Sequence, residues 1–362
     1  MKYLKFFTRH SKSLGCYSII AVILLSFSAC RKPETTSHIT QGPALPAQLY
    51  SYANGDNNVA TLGRVLFYEK SLSLDKSVAC GSCHQPLYGF SDNKVFSTGA
   101  GGAKTTRNAL AIINTANSRF WDGKMPSYDD AASIPLNSHI ELNMTDAKML
   151  TGRISALPYY AGLFQNAFGG SSISVNNVKI ALTSFLDNIV STSSKFDQCY
   201  PNGLNAGPGT QNLSANELAG LNLFLGKAKC VSCHDPNNGF GGGIGQFADI
   251  GLDANYSDFG RGNISFSSTD NGKFQVPSLK NIALSAPYMH DGRFASLNDV
   301  LNFFCGGIKQ SPNLSYLLED QNGIVSQISL SDTEKQNLIA FLQTLTDQGQ
   351  VNDPKFSNPF VH

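Results

Sequence analysis

The chain has 362 residues, which is enough for two domains of ordinary size. Its 27 basic and 26 acidic residues nearly cancel, so the net charge is +1. This composition offers no basic surface for nucleic acid, and we expect no partner of that class.

Residues 1–29 predict an export signal that is not part of the fold. Four basic residues precede an apolar run over 17–27, and Ser28-Ala29 stands directly before Cys30. This order is typical of a bacterial lipoprotein signal, and the apolar run is short for a membrane span. We expect a lipid anchor at Cys30 and a periplasm-facing protein on a membrane of a Gram-negative bacterium; an ordinary signal peptide or a retained anchor are the alternatives. Cleavage leaves 23 basic and 26 acidic residues, a net charge of −3.

The rest of the chain is predicted to be mainly helical. Prolines interrupt residues 30–46, a predicted tether, and the Gly/Pro-rich stretch 202–209 marks a domain boundary. Apolar spacing predicts, in chain order, a helix from Asn57, a partly helical stretch over 107–117, and helices over 144–157, 158–168, 176–192, 214–226, 278–283, 295–304 and 331–346. The predicted domains are 47–200 and 201–350, followed by a tail over 351–362.

One motif occurs in both predicted domains, as Cys80-Gly81-Ser82-Cys83-His84 and as Cys230-Val231-Ser232-Cys233-His234. C-x-x-C-H attaches a c-type haem, because two thiols bond to the haem vinyl groups and the following His binds the iron. A zinc half-site or a thioredoxin-type redox pair is the alternative, but two chance copies of the whole pattern are very rare. We therefore predict two cytochrome-c-like helical domains, each with one covalently attached haem, and His84 and His234 as proximal ligands.

Two further cysteines, Cys199 and Cys305, are not explained by the haem motifs or the signal region. In an oxidising compartment they could form a disulfide, although the sequence does not show whether they lie close together.

The sixth iron ligand decides the chemistry of a His-ligated haem. An electron carrier saturates both irons with His or Met, whereas a peroxidase keeps one iron open beside a group that moves a proton between the peroxide oxygens. Composition leaves both alternatives open.

Several motifs accompany the haem sites. They are Leu62-Gly63-Arg64-Val65-Leu66-Phe67, Gly89-Phe90-Ser91-Asp92, Arg107-Asn108, Phe120-Trp121-Asp122-Gly123-Lys124, Glu141-Leu142-Asn143-Met144, Phe274-Gln275-Val276-Pro277-Ser278-Leu279-Lys280-Asn281 and Ala286-Pro287-Tyr288-Met289-His290-Asp291-Gly292. In this combination, residues 62–345 resemble the bacterial dihaem cytochrome c peroxidase family, which includes the methylamine-utilisation dihaem enzyme.

The resemblance implies roles for individual residues. Glu141 matches the family's distal carboxylate at the peroxide-reacting first haem, and Trp121 matches the Trp between the two haems. Asn108, with the backbone carbonyls of Ser285 and Pro287, matches an interdomain calcium site, and oxygen-only ligands suit calcium.

The chain departs from the family pattern at both haems. The loop 99–104 contains no His or Met where many members carry a His that caps the first haem, so we expect an open first haem. Where the family places a Met or Tyr ligand for the second haem, this chain has Phe304, which cannot bind iron. Cys305, a water molecule and Met289 are the alternatives for that position, and we expect His290 to contact the haem surroundings without ligating iron.

The resemblance implies a cytochrome c peroxidase that reduces hydrogen peroxide to water. Electrons would come from a small donor such as a cytochrome c or a cupredoxin, and would pass from the C-terminal haem to the N-terminal haem. A protein-modifying dihaem oxidase that uses a high-valent iron state is the first alternative, and a non-catalytic dihaem electron carrier is the second. Family members are often dimers, so a homodimer is a further expectation.

Overall fold

The computed structural model describes residues 50–114, 120–124, 132–209, 211–241 and 246–360, which are mainly helical as predicted. The α-helices are α1 (Asn57–Tyr68), α2 (Cys80–Cys83), α3 (Ser133–Asn137), α4 (Ala147–Ser155), α5 (Pro158–Phe168), α6 (Val175–Leu186), α7 (Lys195–Cys199), α8 (Ala215–Leu225), α9 (Gly262–Ser265), α10 (Leu297–Gly306), α11 (Asp332–Gln343) and α12 (Gln348–Asn352). Two short strands, β1 (Phe247–Ala248) and β2 (Phe274–Gln275), pair antiparallel with Phe247 opposite Gln275. Within these ranges no helix combines the length and apolar character that a membrane span requires. The predicted signal, the tether and Cys30 lie outside the described residues.

The first half of the chain is built on the contact between α1 and α6. Asp56 begins α1, since its side chain accepts two backbone N–H groups of the first turn. Gly63 lets the two helix backbones touch, because a Cβ at this position would lie 1.9 Å from the carbonyl oxygen of Ala181. One turn later the rings of Phe67 and Phe185 pack with their centroids 5.2 Å apart.

The same contact recurs between α8 and α11. A Cβ on Gly220 would lie 2.0 Å from the carbonyl oxygen of Asn337, and the Phe224 and Phe341 rings are 5.2 Å apart. Gly and Phe therefore occupy equivalent positions in α1 and α8, and each pair of helices supports one haem motif.

The apolar core has one large cluster around each of these helix pairs. Phe196 of α7 belongs to the second cluster, whereas Phe356, from the predicted tail, belongs to the first. Two hydrogen bonds hold the tail there: Tyr68 Oη donates to the Phe356 carbonyl at 2.5 Å, and Arg64 Nε donates to the Ser357 carbonyl at 2.8 Å. The end of the chain thus packs against the first half. The predicted domain limits, 47–200 and 201–350, stay a prediction.

Two predicted helical stretches are wrong. The described part of 107–117 is irregular and contains no helix. Its N–H groups bond to other segments: Asn108 to the carbonyl of His290, Ile112 to that of Phe90 and Asn114 to that of Ile189. The stretch 278–283 contains only the start of a 3₁₀ turn, Ile282–Leu284, because Leu279 and Asn281 likewise bond to the carbonyls of Phe240 and Leu345. Tertiary partners replace the intrahelical hydrogen bonds in both stretches.

Candidate active site

The two C-x-x-C-H motifs adopt nearly the same local structure. The first forms α2 and the second a 3₁₀ turn, Cys230–Ser232. In both, the N–H of the His donates to the carbonyl of the first Cys of its motif at 2.9 Å. This turn places each pair of thiols and the following imidazole on one side of the backbone.

A second turn orients each imidazole. Nδ1 of His84 lies 3.0 Å from the carbonyl oxygen of Phe90, and Nδ1 of His234 lies 2.9 Å from that of Phe240. Both Phe residues and the glycines before them have φ between 58° and 62°, which aims the carbonyls back at the rings. A carbonyl at Nδ1 leaves Nε2 to bind a metal. The Gly-Phe pair after each His is visible in the sequence, and its repetition is a signal that our sequence analysis missed.

Both imidazoles are held in the neutral form that can bind iron. Burial lowers the pKa of His84, and it lowers the pKa of His234 to about 4. Each ring can therefore act as a ligand at neutral pH without first losing a proton.

A cavity of about 910 Å³ lies beside the first motif. Cys80, Cys83 and His84 line it together with Glu141 and Trp121. Two thiols, a neutral imidazole and a largely apolar cavity of this size fit a covalently attached haem. The structure thus brings together five of the predicted site residues.

A second cavity, of about 250 Å³, is lined by Cys230, Cys233 and His234, and this set also fits a haem. Met289 and Phe304 line it as well, whereas Cys305 does not. The structure therefore does not bring Cys305, one of the three alternatives for the sixth ligand, to the cavity. Cys305 occupies the next position of α10, which turns its side chain away from that of Phe304. Met289 has φ 76°, a left-handed conformation that is uncommon for this residue type.

Glu141 lies on the wall of the first cavity in a weakly solvated position. Burial raises the pKa of its carboxyl above the ordinary value, although the Lys124 charge and a hydrogen bond with Ser138 oppose this shift. A raised pKa makes the carboxylate a stronger base, which suits a group that takes a proton from a substrate and later returns it.

The glycine-rich loop 99–104 supports the backbone of Glu141. The N–H of Ala100 donates to the Glu141 carbonyl at 2.7 Å. A Cβ on Gly99 would lie 2.2 Å from the Ile140 carbonyl oxygen, so only glycine fits there. Among the described residues that line the first cavity there is no Met, and His84 and His290 are the only histidines.

Trp121 and Asn108 line both cavities, so they form the wall between them. Trp121 Nε1 donates to the Asn108 carbonyl at 2.9 Å, and the Trp121 carbonyl accepts the N–H of Gln275 at 2.8 Å. Trp121 is the only tryptophan of the chain, and it lies in the wall that the two cavities share.

Arg107 is a site residue to which the sequence analysis assigned no role. Its guanidinium lines the first cavity and binds both carboxylate oxygens of Asp258, at 2.7 and 2.9 Å, and Asp122 at 2.6 Å. Nearby, the His290 ring stacks on Phe274 at 3.8 Å between centroids. His290 lines both cavities from this position.

The predicted calcium ligands Asn108, Ser285 and Pro287 all line the second cavity. Asn108 Nδ2 donates to the carbonyl of Lys94 at 2.8 Å, which leaves Oδ1 as the acceptor that could face a cation. No cluster of three or more His, Cys, Asp or Glu side chains suited to a metal ion occurs in the part of the chain that the structure describes.

Cys199 and Cys305, which the sequence analysis considered as disulfide partners, are both free thiols, so the structure contains no disulfide between them.

The chain is similar to known proteins of one family. The family model for di-haem cytochrome c peroxidase matches residues 57–204. The methylamine utilization protein MauG of Methylorubrum extorquens is 32% identical over 320 residues, which cover 87% of this chain and 82% of that protein. The cytochrome-c peroxidase IdrP1 of Pseudomonas sp. is 30% identical over 382 residues, covering 97% and 94%. A crystal structure of a MauG-like protein associated with microbial copper homeostasis has a TM-score of 0.76 and 29% identity, and covers 91% of this chain and 99% of that chain.

Proposed function

This chain belongs to the di-haem cytochrome c peroxidase family and is a peroxidase-class oxidoreductase with two c-type haems, and we propose that it reduces hydrogen peroxide to water in its first cavity. The observation that carries this proposal is that Glu141 and His84 line the same cavity. A haem held by Cys80, Cys83 and His84 would supply an iron able to bind peroxide in this cavity.

Glu141 is the group that moves the proton. Its carboxylate accepts a proton from the peroxide oxygen nearer the iron, and its carboxylic acid returns this proton to the oxygen that leaves as water. Two electrons and two further protons complete the reduction to two waters. Arg107 cannot serve as the base because a guanidinium stays protonated in proteins. It keeps a positive charge at the wall instead, fixed by Asp122 and Asp258.

A haem held by His234 would supply the electrons, and Trp121 would be the relay between the two cavities. The support is that the indole lines both cavities and is anchored at its nitrogen and at its main chain. The donor is a small redox protein, a cytochrome c or a cupredoxin. Two relatives carry the name cytochrome-c peroxidase or cytochrome c551 peroxidase, which favours a cytochrome.

Met289 would be the protein side chain that completes the ligation of a haem held by His234. Of the two side chains considered from the sequence, only Met289 lines the cavity of His234. A His/Met pair raises the reduction potential of a haem, as the point at which electrons enter requires.

A calcium ion bound by Asn108 and the carbonyls of Ser285 and Pro287 would hold the wall between the cavities. Because Trp121 Nε1 bonds to the Asn108 carbonyl, an ion on the Asn108 side chain would also fix the relay. Treatment with EGTA followed by dialysis should slow turnover, and added Ca²⁺ should restore it whereas Mg²⁺ should not. Asn108→Ala should remove the calcium response, and an unchanged response would contradict the site.

A protein-modifying oxidase is the second candidate, because the chain is 32% identical to a methylamine utilization protein MauG. The two functions differ in their use of donor electrons. A peroxidase oxidises about two equivalents of reduced cytochrome c for each peroxide, whereas a protein-modifying enzyme consumes peroxide only when its substrate protein is present. Neither behaviour is expected of a plain electron carrier.

We place the mature protein on the periplasmic side of a membrane, with a lipid on Cys30, and we expect a homodimer. The order of the first 30 residues supports the anchor. Mass spectrometry of the membrane fraction should detect a diacylated Cys30, and Cys30→Ser should release the protein. Light scattering of the protein from residue 31 onward tests the dimer.

Steady-state peroxide turnover in Glu141→Gln tests the catalytic assignment. We expect a fall of about 10²- to 10⁴-fold, the usual contribution of a general acid–base group. Glu319→Gln, which alters a carboxyl outside both cavities, should keep the wild-type rate. A Glu141→Gln variant with wild-type turnover would contradict the proposal and favour a different proton carrier.

A further inference from the structure

The first half of the chain contains a buried carboxylate that the proposed chemistry does not use. Asp92 is fully buried, and its Oδ2 accepts a hydrogen bond from Ser97 Oγ at 2.9 Å. Its nearest cation is Lys94 Nζ at 3.8 Å, on a half-exposed side chain. Oδ1 has no hydrogen-bond partner among the described residues. A buried charge with so little compensation is costly and calls for an explanation.

The position of Asp92 connects it to the first haem motif. It follows Ser91, whose carbonyl accepts the N–H of Gln85 at 3.0 Å, directly after His84. Ser97, the hydrogen-bond partner of Asp92, lines the first cavity together with Cys83. Burial lowers the pKa of His84, and the negative charge of Asp92 is one of the influences that oppose this shift. The carboxylate therefore lies close enough to His84 to act on it electrostatically.

Among the described residues of the second half, no buried carboxylate oxygen lacks a hydrogen-bond partner. The two haem motifs are offset by 150 positions, and this offset brings Gly242 to the position of Asp92. The buried charge near the second imidazole is instead Lys280, which forms an ion pair with Asp197. Lys280 Nζ lies 5.9 Å from the centroid of the Phe240 ring, and the Phe240 carbonyl is the partner of His234. A weakly compensated anion thus lies near the first haem motif, whereas the buried cation near the second motif has a close carboxylate partner.

We propose that Asp92 lowers the reduction potential of the first haem below that of the second. An added electron is disfavoured beside an unbalanced negative charge in a weakly polar interior. The second haem would then be reduced first, while the first haem stays oxidised until peroxide arrives. This inference rests on the proposed function for its purpose. Because the reduction potentials are measured without peroxide, the role of Asp92 and the proposed reduction of peroxide can fail independently.

A spectroelectrochemical titration of the protein with both haems attached tests the proposal. The wild-type protein should show two waves. In Asp92→Asn the lower wave should shift upward while the upper wave stays in place, since the amide removes the charge but can still accept the Ser97 hydrogen bond. No shift, or a shift of the upper wave alone, would overturn the proposal.

Two further variants separate charge from structure. Glu319→Gln removes a carboxyl that lies outside both cavities, so its waves should match those of the wild type. Lys94→Gln removes the nearby cation and should move the lower wave slightly downward, opposite to Asp92→Asn. If Glu319→Gln moves the lower wave, or Lys94→Gln raises it, the charge of Asp92 is not the cause. These two variants also decide the matter should Asp92→Asn fail to fold.

Discussion

The indole nitrogen of Trp121 and the backbone carbonyl of Asn108 are joined by a hydrogen bond of 2.9 Å on the wall between two cavities. Asn108 is itself tied to the carbonyl of His290 through its N–H, at 2.7 Å, and to that of Lys94 through its side chain. The indole is therefore fixed to a segment that is anchored on both sides. This relationship supports the electron path that we propose.

Replacement of Trp121 by Phe should slow electron transfer between the haems and spare the reaction with peroxide. Phe keeps an aromatic ring in the wall but loses the Nε1 hydrogen bond and the more easily oxidised indole. We expect steady-state turnover with a reduced donor to fall by about tenfold or more, a loss of at least about 1.4 kcal/mol in transition-state stabilisation. Stopped-flow measurement should show an unchanged first reaction with peroxide. A variant with wild-type turnover would show that electrons take another route.

The pH dependence of peroxide reduction should report Glu141. Burial raises the pKa of its carboxyl, and the base is the deprotonated form. The rate should therefore decrease as the pH falls through a pKa above the ordinary value of about 4.3 for Glu. Lys124 opposes the shift, so Lys124→Met should move the acidic limb of kcat/KM to still higher pH. An acidic limb that does not respond to Lys124→Met or Glu141→Gln would assign the titration to another group.

Replacement of Met289 by Leu should change the second haem alone. Leu has a similar volume but no thioether, so the sixth position of the His234 haem would lose its protein ligand. We expect part of the low-spin absorption to become high-spin and the potential of this haem to fall, because Met ligation raises it. Cys305→Ser should leave the spectrum unchanged, since Cys305 does not line the cavity. A changed spectrum in Cys305→Ser together with an unchanged spectrum in Met289→Leu would favour Cys305 as the ligand.

Replacement of Gly63 by Ala should destabilise the first helix pair. The new Cβ would lie 1.9 Å from the Ala181 carbonyl oxygen, and neither backbone can move without disturbing the core. We expect a loss of about 1–3 kcal/mol in the free energy of unfolding, the usual cost of overpacking. Gly152→Ala in α4 is the matched control, because nothing lies within 4 Å of a Cβ there. It should be neutral or stabilise the protein by up to about 1 kcal/mol in chemical denaturation.

Local patterns predicted much of the site. The C-x-x-C-H spacing is complete within one turn of chain, so the haem attachment could be recognised without the fold. Ser331 and Glu334 likewise predict the start of α11, where both form a reciprocal cap. Glu141 and Trp121 could be assigned only through the family resemblance, because the residues that give them their roles come from distant segments.

The features that the sequence did not reveal depend on long-range contacts. The apolar stretch after Asn108 looks helical by spacing, but its N–H groups bond to carbonyls from three other segments. The return of Phe356 to the first core depends on Tyr68 and Arg64, nearly 300 positions earlier. Whether Cys305 faces the second cavity depends on the rotation of α10, because a shift of one residue turns a helical side chain by about 100°.

The most direct test of the account is rapid mixing of the fully oxidised protein, with both haems attached, with a slight excess of hydrogen peroxide. The account predicts a fast change in the Soret absorption without any prior reduction, and a much slower change in Glu141→Gln. It also predicts that Glu319→Gln reacts like the wild type. A protein that stays unchanged until one electron has been added would contradict an open first haem, and equal rates in the wild type and Glu141→Gln would contradict the role of Glu141.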